Sequence, residues 1–93
     1  MILGFRSREA ECIWRGERSR TLPKEIQAVA RRKLRHLNSA RSLHDLRVPP
    51  GNRLEPLKGA RAGQHSIRIN EQWRICFRWT AAGPDEVDIV DYH

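Results

Sequence analysis

Ninety-three residues carrying 18 Lys and Arg against 11 Asp and Glu give a net charge of +7, with 39% apolar residues. That length supports one domain, expected over residues 1–93, with one modest core. No apolar run approaches the roughly 18 residues of a membrane span, and the start Met1–Glu9 does not read as a leader, so no membrane association and a cytoplasmic location are expected. Arginine supplies 15 of the 18 basic residues, and all of the excess lies in the first half, where 12 basic residues face 5 acidic ones. Planar guanidinium groups suit bidentate phosphate recognition, which points to nucleic acid. An acidic protein partner or a merely solvated basic surface are the alternatives.

In chain order, Ile2-Leu3-Gly4-Phe5 is a candidate first strand. Residues 8–15 suit a short helix with Ala10, Ile13 and Trp14 on one side, followed by a charged loop over 16–21. The clearest helix starts at Pro23. Ile26, Val29, Ala30, Leu34 and Leu37 form its apolar stripe, with Lys24, Arg31, Arg32 and Arg35 off it. Asn38-Ser39 ends it after about 16 residues. Ser42-Leu43-His44-Asp45 resembles a capping box for one further turn, and Pro49-Pro50-Gly51-Asn52 stops helical structure.

Beyond that break the apolar period becomes two. Arg53–Leu57 reads as a short strand that Pro56 confines to an edge or a bulge. Residues 64–69, 73–79 and 86–92 alternate as strands, with Gly59 and Gly63 bracketing a loop before them. Helices followed by antiparallel strands indicate an α+β fold. Parity sets the hairpin: a three-residue loop Asn70-Glu71-Gln72 opposes Ile69 to Trp73 and Arg68 to Arg74. It gathers Ile67, Ile69, Trp73, Ile75, Phe77 and Trp79 on the helix-covered face. Ser66, Arg68, Arg74, Cys76, Arg78, Asp88, Val90 and Tyr92 then share the other face. Two directly opposed arginines repel, by a few tenths to about 1 kcal/mol, and make sense if an anion binds between them. The plainer reading is a solvated face with cross-strand ion pairs, such as Asp88 with Arg78.

Cys12 and Cys76 are too few and too distant for a disulfide framework and lack metal-ligand spacing, so free buried thiols and no metal are expected. His65 shares the parity of Ile67 and Ile69 and is expected to be a hydrogen-bonded structural histidine. His36 and His44 read as surface groups.

Three stretches carry a resemblance: Glu55-Pro56-Leu57-Lys58-Gly59, Gly63 through Ile75, and Val90-Asp91-Tyr92-His93. In order and spacing they resemble the RelE/ParE toxin superfamily, and specifically the HigB-like toxins of type II toxin–antitoxin systems. The resemblance implies N-terminal helices packed on a curved, mainly antiparallel RelE-like sheet. It implies a metal-independent and cofactor-independent endoribonuclease that cuts mRNA in the 70S ribosome and inhibits translation. Its implied partner is a HigA-like helix-turn-helix antitoxin, with operator DNA contacted only through that antitoxin. The implied chemistry is attack of a ribose 2′-hydroxyl on the adjacent phosphate.

Such chemistry needs a base, cations on the phosphate and an acid for the departing oxygen. By the resemblance, Arg74 is the phosphate-stabilising arginine, with Arg68 and Lys58 as auxiliary cations. Tyr92 and His93 form the functional C-terminal pair, with Asp91 beside them. Glu55 stands where HigB toxins carry histidine and YoeB-like relatives carry glutamate. The expected assignment is Glu55 as base, Arg74 and Lys58 on the phosphate, His93 as acid and Tyr92 positioning the nucleotide; the roles of Glu55 and His93 could be exchanged. An ion pair of Glu55 with Arg53 or Arg74 is the competing reading. Arg78 joins Arg68 as an RNA-facing cation, while Arg31, Arg32 and Arg35 are expected to dock on ribosomal RNA. Arg74→Ala is expected to abolish growth inhibition with the fold intact. Two other readings stay open: a non-catalytic toxin of the same fold poisoning a protein such as DNA gyrase, and a weakly active toxin serving mainly as antitoxin partner and operon co-repressor.

Overall fold

A computed structural model describes residues 1–92. Its elements are α1 (Arg8–Trp14), α2 (Lys24–Ser39), β1 (Glu55–Pro56), β2 (His65–Arg68), β3 (Trp73–Thr80) and β4 (Gly83–Asp91). The four strands form one antiparallel sheet in the order β1-β2-β3-β4, an α+β fold. Among the described residues no helix is long and apolar enough to cross a membrane.

Ser7 caps α1 by accepting from the N–H of Ala10 at 3.2 Å, which satisfies one of the helix's orphan donors. The longer helix runs 16 residues, with Pro23 just outside it as the cap residue. Its stripe of Ile26, Ala30, Leu34 and Leu37 is buried against Ile67, Ile69, Ile75, Phe77, Val87 and Ile89 from the sheet, together with Ala10 and Ile13 from α1. Each fully buried aliphatic chain contributes about 2 kcal/mol, so this single layer contact is the main source of stability. Val29, Trp14, Trp73 and Trp79 are half-buried at its margin.

Gln27 is buried although its polar side chain gives no hydrophobic signal. It accepts from the N–H of Ser19 at 3.1 Å and donates to the carbonyls of Ser19 and Leu22 at 3.0 and 2.9 Å. That knot ties down the charged loop before α2. The Ser42 capping box is present, with Asp45 accepting from the N–H groups of Arg41 and Ser42, and it opens a 3-10 turn over Leu43–Arg47.

The expected first strand is instead extended chain with a single bridge, Phe5 to Val87, running parallel to β4. Local alternation cannot disclose such pairing, because it depends on the sheet's far edge. The predicted strand 53–57 shrinks to Glu55–Pro56 at the other edge, since a short 3-10 turn over Pro50–Asn52 precedes it. The predicted hairpin register is observed, with Arg68 opposite Arg74 and Ile67 opposite Ile75. Asn70 Oδ1 closes the loop by accepting from the N–H groups of Gln72 and Trp73 at 2.8 and 2.7 Å. On the next hairpin, β4 carries an extra residue between the partners of Cys76 and Arg78. Glu86, at φ 52°, lies in that bulge.

Candidate active site

One row crosses the polar face through all four strands: Glu55, Ser66, Cys76 and Asp88 are successive partners. The adjacent row carries Arg68, Arg74 and Val90. Residues 53–55 flank these rows, and the hairpin and Tyr92 complete a cleft. Its volume is about 270 Å³, lined by Arg53, Arg68, Asn70, Glu71, Arg74 and Tyr92.

Arg74 is the centre of this arrangement and is only 8% exposed. Its Nε donates to Ser66 Oγ at 2.7 Å, and Nη2 donates to the carbonyls of Arg53 at 2.6 Å and Ser66 at 3.4 Å. Nη1 lies 3.4 Å from Glu55 Oε1, and the guanidinium sits 5.6 Å from the centre of the Tyr92 ring. A charge taken out of water is tolerable only when paired and hydrogen-bonded in this way. The opposed arginines have separate partners: Arg74 is held by Ser66, Arg53 and Glu55, while Arg68 reaches Glu71 at 4.0 Å.

The structure thus brings Glu55, Arg74, Arg68 and Tyr92 together. Glu55 is half-exposed and is ion-paired with Arg74, so the competing reading and the functional one describe the same contact. Lys58 is exposed, three residues beyond Glu55 at the start of the next turn, and does not line the cleft. Asp91 pairs in register with Trp73, one residue on from Val90 and so on the opposite side of the strand from the Arg74 row. Its carboxylate accepts from Gln72 Nε2 at 3.0 Å. His93 lies outside the described residues.

Arg78 is held elsewhere on the polar face, 2.8 Å from Glu86 rather than beside Asp88. The bulge makes that exchange, and Asp88 pairs with Arg61 at 3.5 Å instead. Arg78 Nη1 also lies against Gly63, where any Cβ would come within 2.9 Å of it. The helix arginines do not share one site. Arg31 donates to the carbonyl of Ile13 at 3.2 Å and lines a basic groove with Arg18 and Lys24, while Arg32 lies beside Lys33, His36 and Pro49. Arg35 is exposed.

Both cysteines are free. Cys76 is fully buried at the middle of the polar face, and burial raises its thiol pKa; Cys12 is only half-buried, contrary to expectation. His65 stacks on Phe77 but its buried Nδ1 has no hydrogen-bond partner, so the expected hydrogen-bonded histidine is not found. Sequence reasoning missed Ser66 as a support for Arg74 and Arg53 as a member of the cleft. The pairing of residue 55 with 66 could have suggested the first, but the second depends on the Pro50–Asn52 turn.

The family model described as the RelE-like toxin of the type II toxin–antitoxin system HigB matches residues 5–93. Toxin HigB-1 of Vibrio cholerae serotype O1 is 41% identical over 80 residues, covering 85% of this chain and 84% of that one. An uncharacterized protein of Haemophilus influenzae is 33% identical over 64 residues, covering 69% of this chain and 63% of its own. In architecture, the YoeB/ParE toxin from Agrobacterium tumefaciens superposes with a TM-score of 0.57 at 23% identity, over 99% of this chain and 96% of that one.

Proposed function

Since this chain belongs to the HigB-like family of RelE-like toxins of type II toxin–antitoxin systems, we propose that it is a ribosome-dependent mRNA endoribonuclease acting through the Arg74 cleft. Membership carries an antitoxin partner with it; a HigA-like helix-turn-helix protein is the form proposed. The observation that carries the enzymatic reading is a buried guanidinium from β3 that lines an open cleft together with the Tyr92 ring and is paired at 3.4 Å with the half-exposed Glu55 carboxylate of β1. A surface that merely docks on a protein has no need to anchor a buried cation beside a carboxylate.

In the proposed reaction Glu55 takes the proton of a ribose 2′-hydroxyl, and the oxygen attacks the neighbouring phosphorus. The bond to the 5′-oxygen breaks, and that oxygen acquires a proton, the role proposed for His93. A cyclic phosphate and a 5′-hydroxyl result. Arg74 suits the developing charge because Nε and Nη2 are bound to the fold while Nη1 faces Glu55. Such a fixed donor needs no reorganisation, and contacts of this type lower barriers by about 3–4 kcal/mol. Arg68 adds positive charge in the cleft, and Tyr92 presents a ring for base stacking.

The test is a translation extract supplied with the full chain, read by primer extension on the message. Cuts confined to actively translating messages are the expected result, and Glu55→Gln should remove them. Intact messages accompanied by loss of DNA supercoiling would overturn the reading in favour of a gyrase poison.

A further inference from the structure

Arg53 takes no part in the proposed chemistry, yet its backbone is unusual. It adopts φ 46° and ψ 53°, the left-handed region, at the end of the Pro50–Asn52 turn. A residue with a long side chain seldom occupies that region, whereas glycine enters it freely. Two contacts hold Arg53 there: its N–H donates to the Pro50 carbonyl at 3.1 Å, and its own carbonyl accepts from Arg74 Nη2 at 2.6 Å. The preceding Asn52 is wholly buried, bonded to Lys33 Nζ and donating to the Leu46 carbonyl at 3.1 Å, so the turn itself is fixed.

The Arg53 side chain is exposed and lines the cleft. Its guanidinium has no hydrogen bond or ion pair among the described residues, whereas Arg68 has Glu71 and Arg74 is bound on three of its sides. Folding alone favours glycine at this position, so an arginine here runs against the local preference, and strain of this kind concentrates at functional sites. We infer that Arg53 is a phosphate-binding residue of the cleft, gripping the RNA backbone at a phosphate neighbouring the one under attack. This rests on the ribonuclease reading in taking RNA as the anion.

Arg53→Gly tests it, because the substitution removes the cation while relaxing the backbone. The probe is a fluorescein-labelled single-stranded 2′-deoxy-oligonucleotide, which lacks the attacking hydroxyl. Its binding is followed by anisotropy between about 50 and 200 mM salt, and the thermal melting of each protein is recorded alongside. Arg53→Gly should melt at or above the wild-type temperature and bind roughly tenfold more weakly. Its log–log salt slope should be shallower by about 0.7, the loss of one phosphate contact on a single strand. Arg53→Lys should keep most of the affinity. Unchanged affinity and slope in Arg53→Gly, a clearly lowered melting temperature, or no binding by the wild type overturns the inference. Binding is independent of cleavage, so the two readings fail separately. Weakened binding in a protein that makes no cuts leaves the Arg53 assignment standing. Wild-type cutting rates in Arg53→Gly remove that assignment and leave the ribonuclease.

Discussion

Arg74 Nη1 and Glu55 Oε1 lie 3.4 Å apart, one group buried in the sheet and the other on its edge strand and half-exposed. The carboxylate is thus close enough to be oriented by the guanidinium and open enough to meet a substrate hydroxyl.

Glu55→Gln keeps the shape of the side chain but cannot accept the 2′-proton. Message cleavage should fall by roughly 10²–10⁴-fold, the usual worth of a positioned base. Stability should change by no more than about 1 kcal/mol, because the lost ion pair is half-exposed and Arg74 keeps its other partners. Cleavage at the wild-type rate in single-turnover assays would move the base elsewhere.

Arg74→Ala is expected to weaken the fold as well as the activity, in place of the intact fold expected from the sequence. It strands the Arg53 carbonyl and Ser66 Oγ, both of which Arg74 now satisfies. A loss of about 2–4 kcal/mol in urea unfolding is expected from orphaned polar groups and lost packing. A wild-type unfolding midpoint in this variant would show that the buried contacts contribute little.

Tyr92 separates ring from hydroxyl. Tyr92→Phe retains the face that meets Arg74 at 5.6 Å, so cleavage should stay within about threefold of wild type. Tyr92→Ala removes the stacking surface and should cost roughly tenfold or more. A large loss in the phenylalanine variant would instead give the hydroxyl a part in proton transfer.

His65 supplies a pH dependence. Burial, and then the nearby Arg47 charge, hold its pKa below the ordinary histidine range. The unfolded chain takes up this proton near pH 6.5 and the folded one only at lower pH. Stability from this residue is therefore complete above that range and declines as the pH falls through it. Urea midpoints at pH 7.5 and 5.5 should drop for the wild type and drop less for His65→Gln. Equal drops would exclude His65 as the source.

The elements that could be read from the chain are those set by local periodicity. The stripe of Ile26, Ala30, Leu34 and Leu37 fixes the helix, and the count of three residues between Ile69 and Trp73 fixes which side chains oppose one another. What escaped depends on distant pairing. The burial of Arg74 requires residues 50–55 to fold over it, and the partner swap between Arg78 and Asp88 requires an extra residue at Glu86. Gln27 and Ser66 escaped for a related reason: their value lies in bonds to backbone and guanidinium that only the assembled fold presents.

Finally, among the described residues neither margin of the sheet offers a full row of open amides to a second copy of the chain. On the β4 side the first residues occupy it, with Leu3 donating to Pro84 and Val87 donating to Gly4, and the Ile2 N–H taken by Asn38. On the β1 side only Glu55 and Pro56 are in strand, and proline has no N–H to give. Strand-by-strand stacking into fibrils therefore has little to build on, which protects a small basic chain when it is crowded or momentarily without its inhibitor.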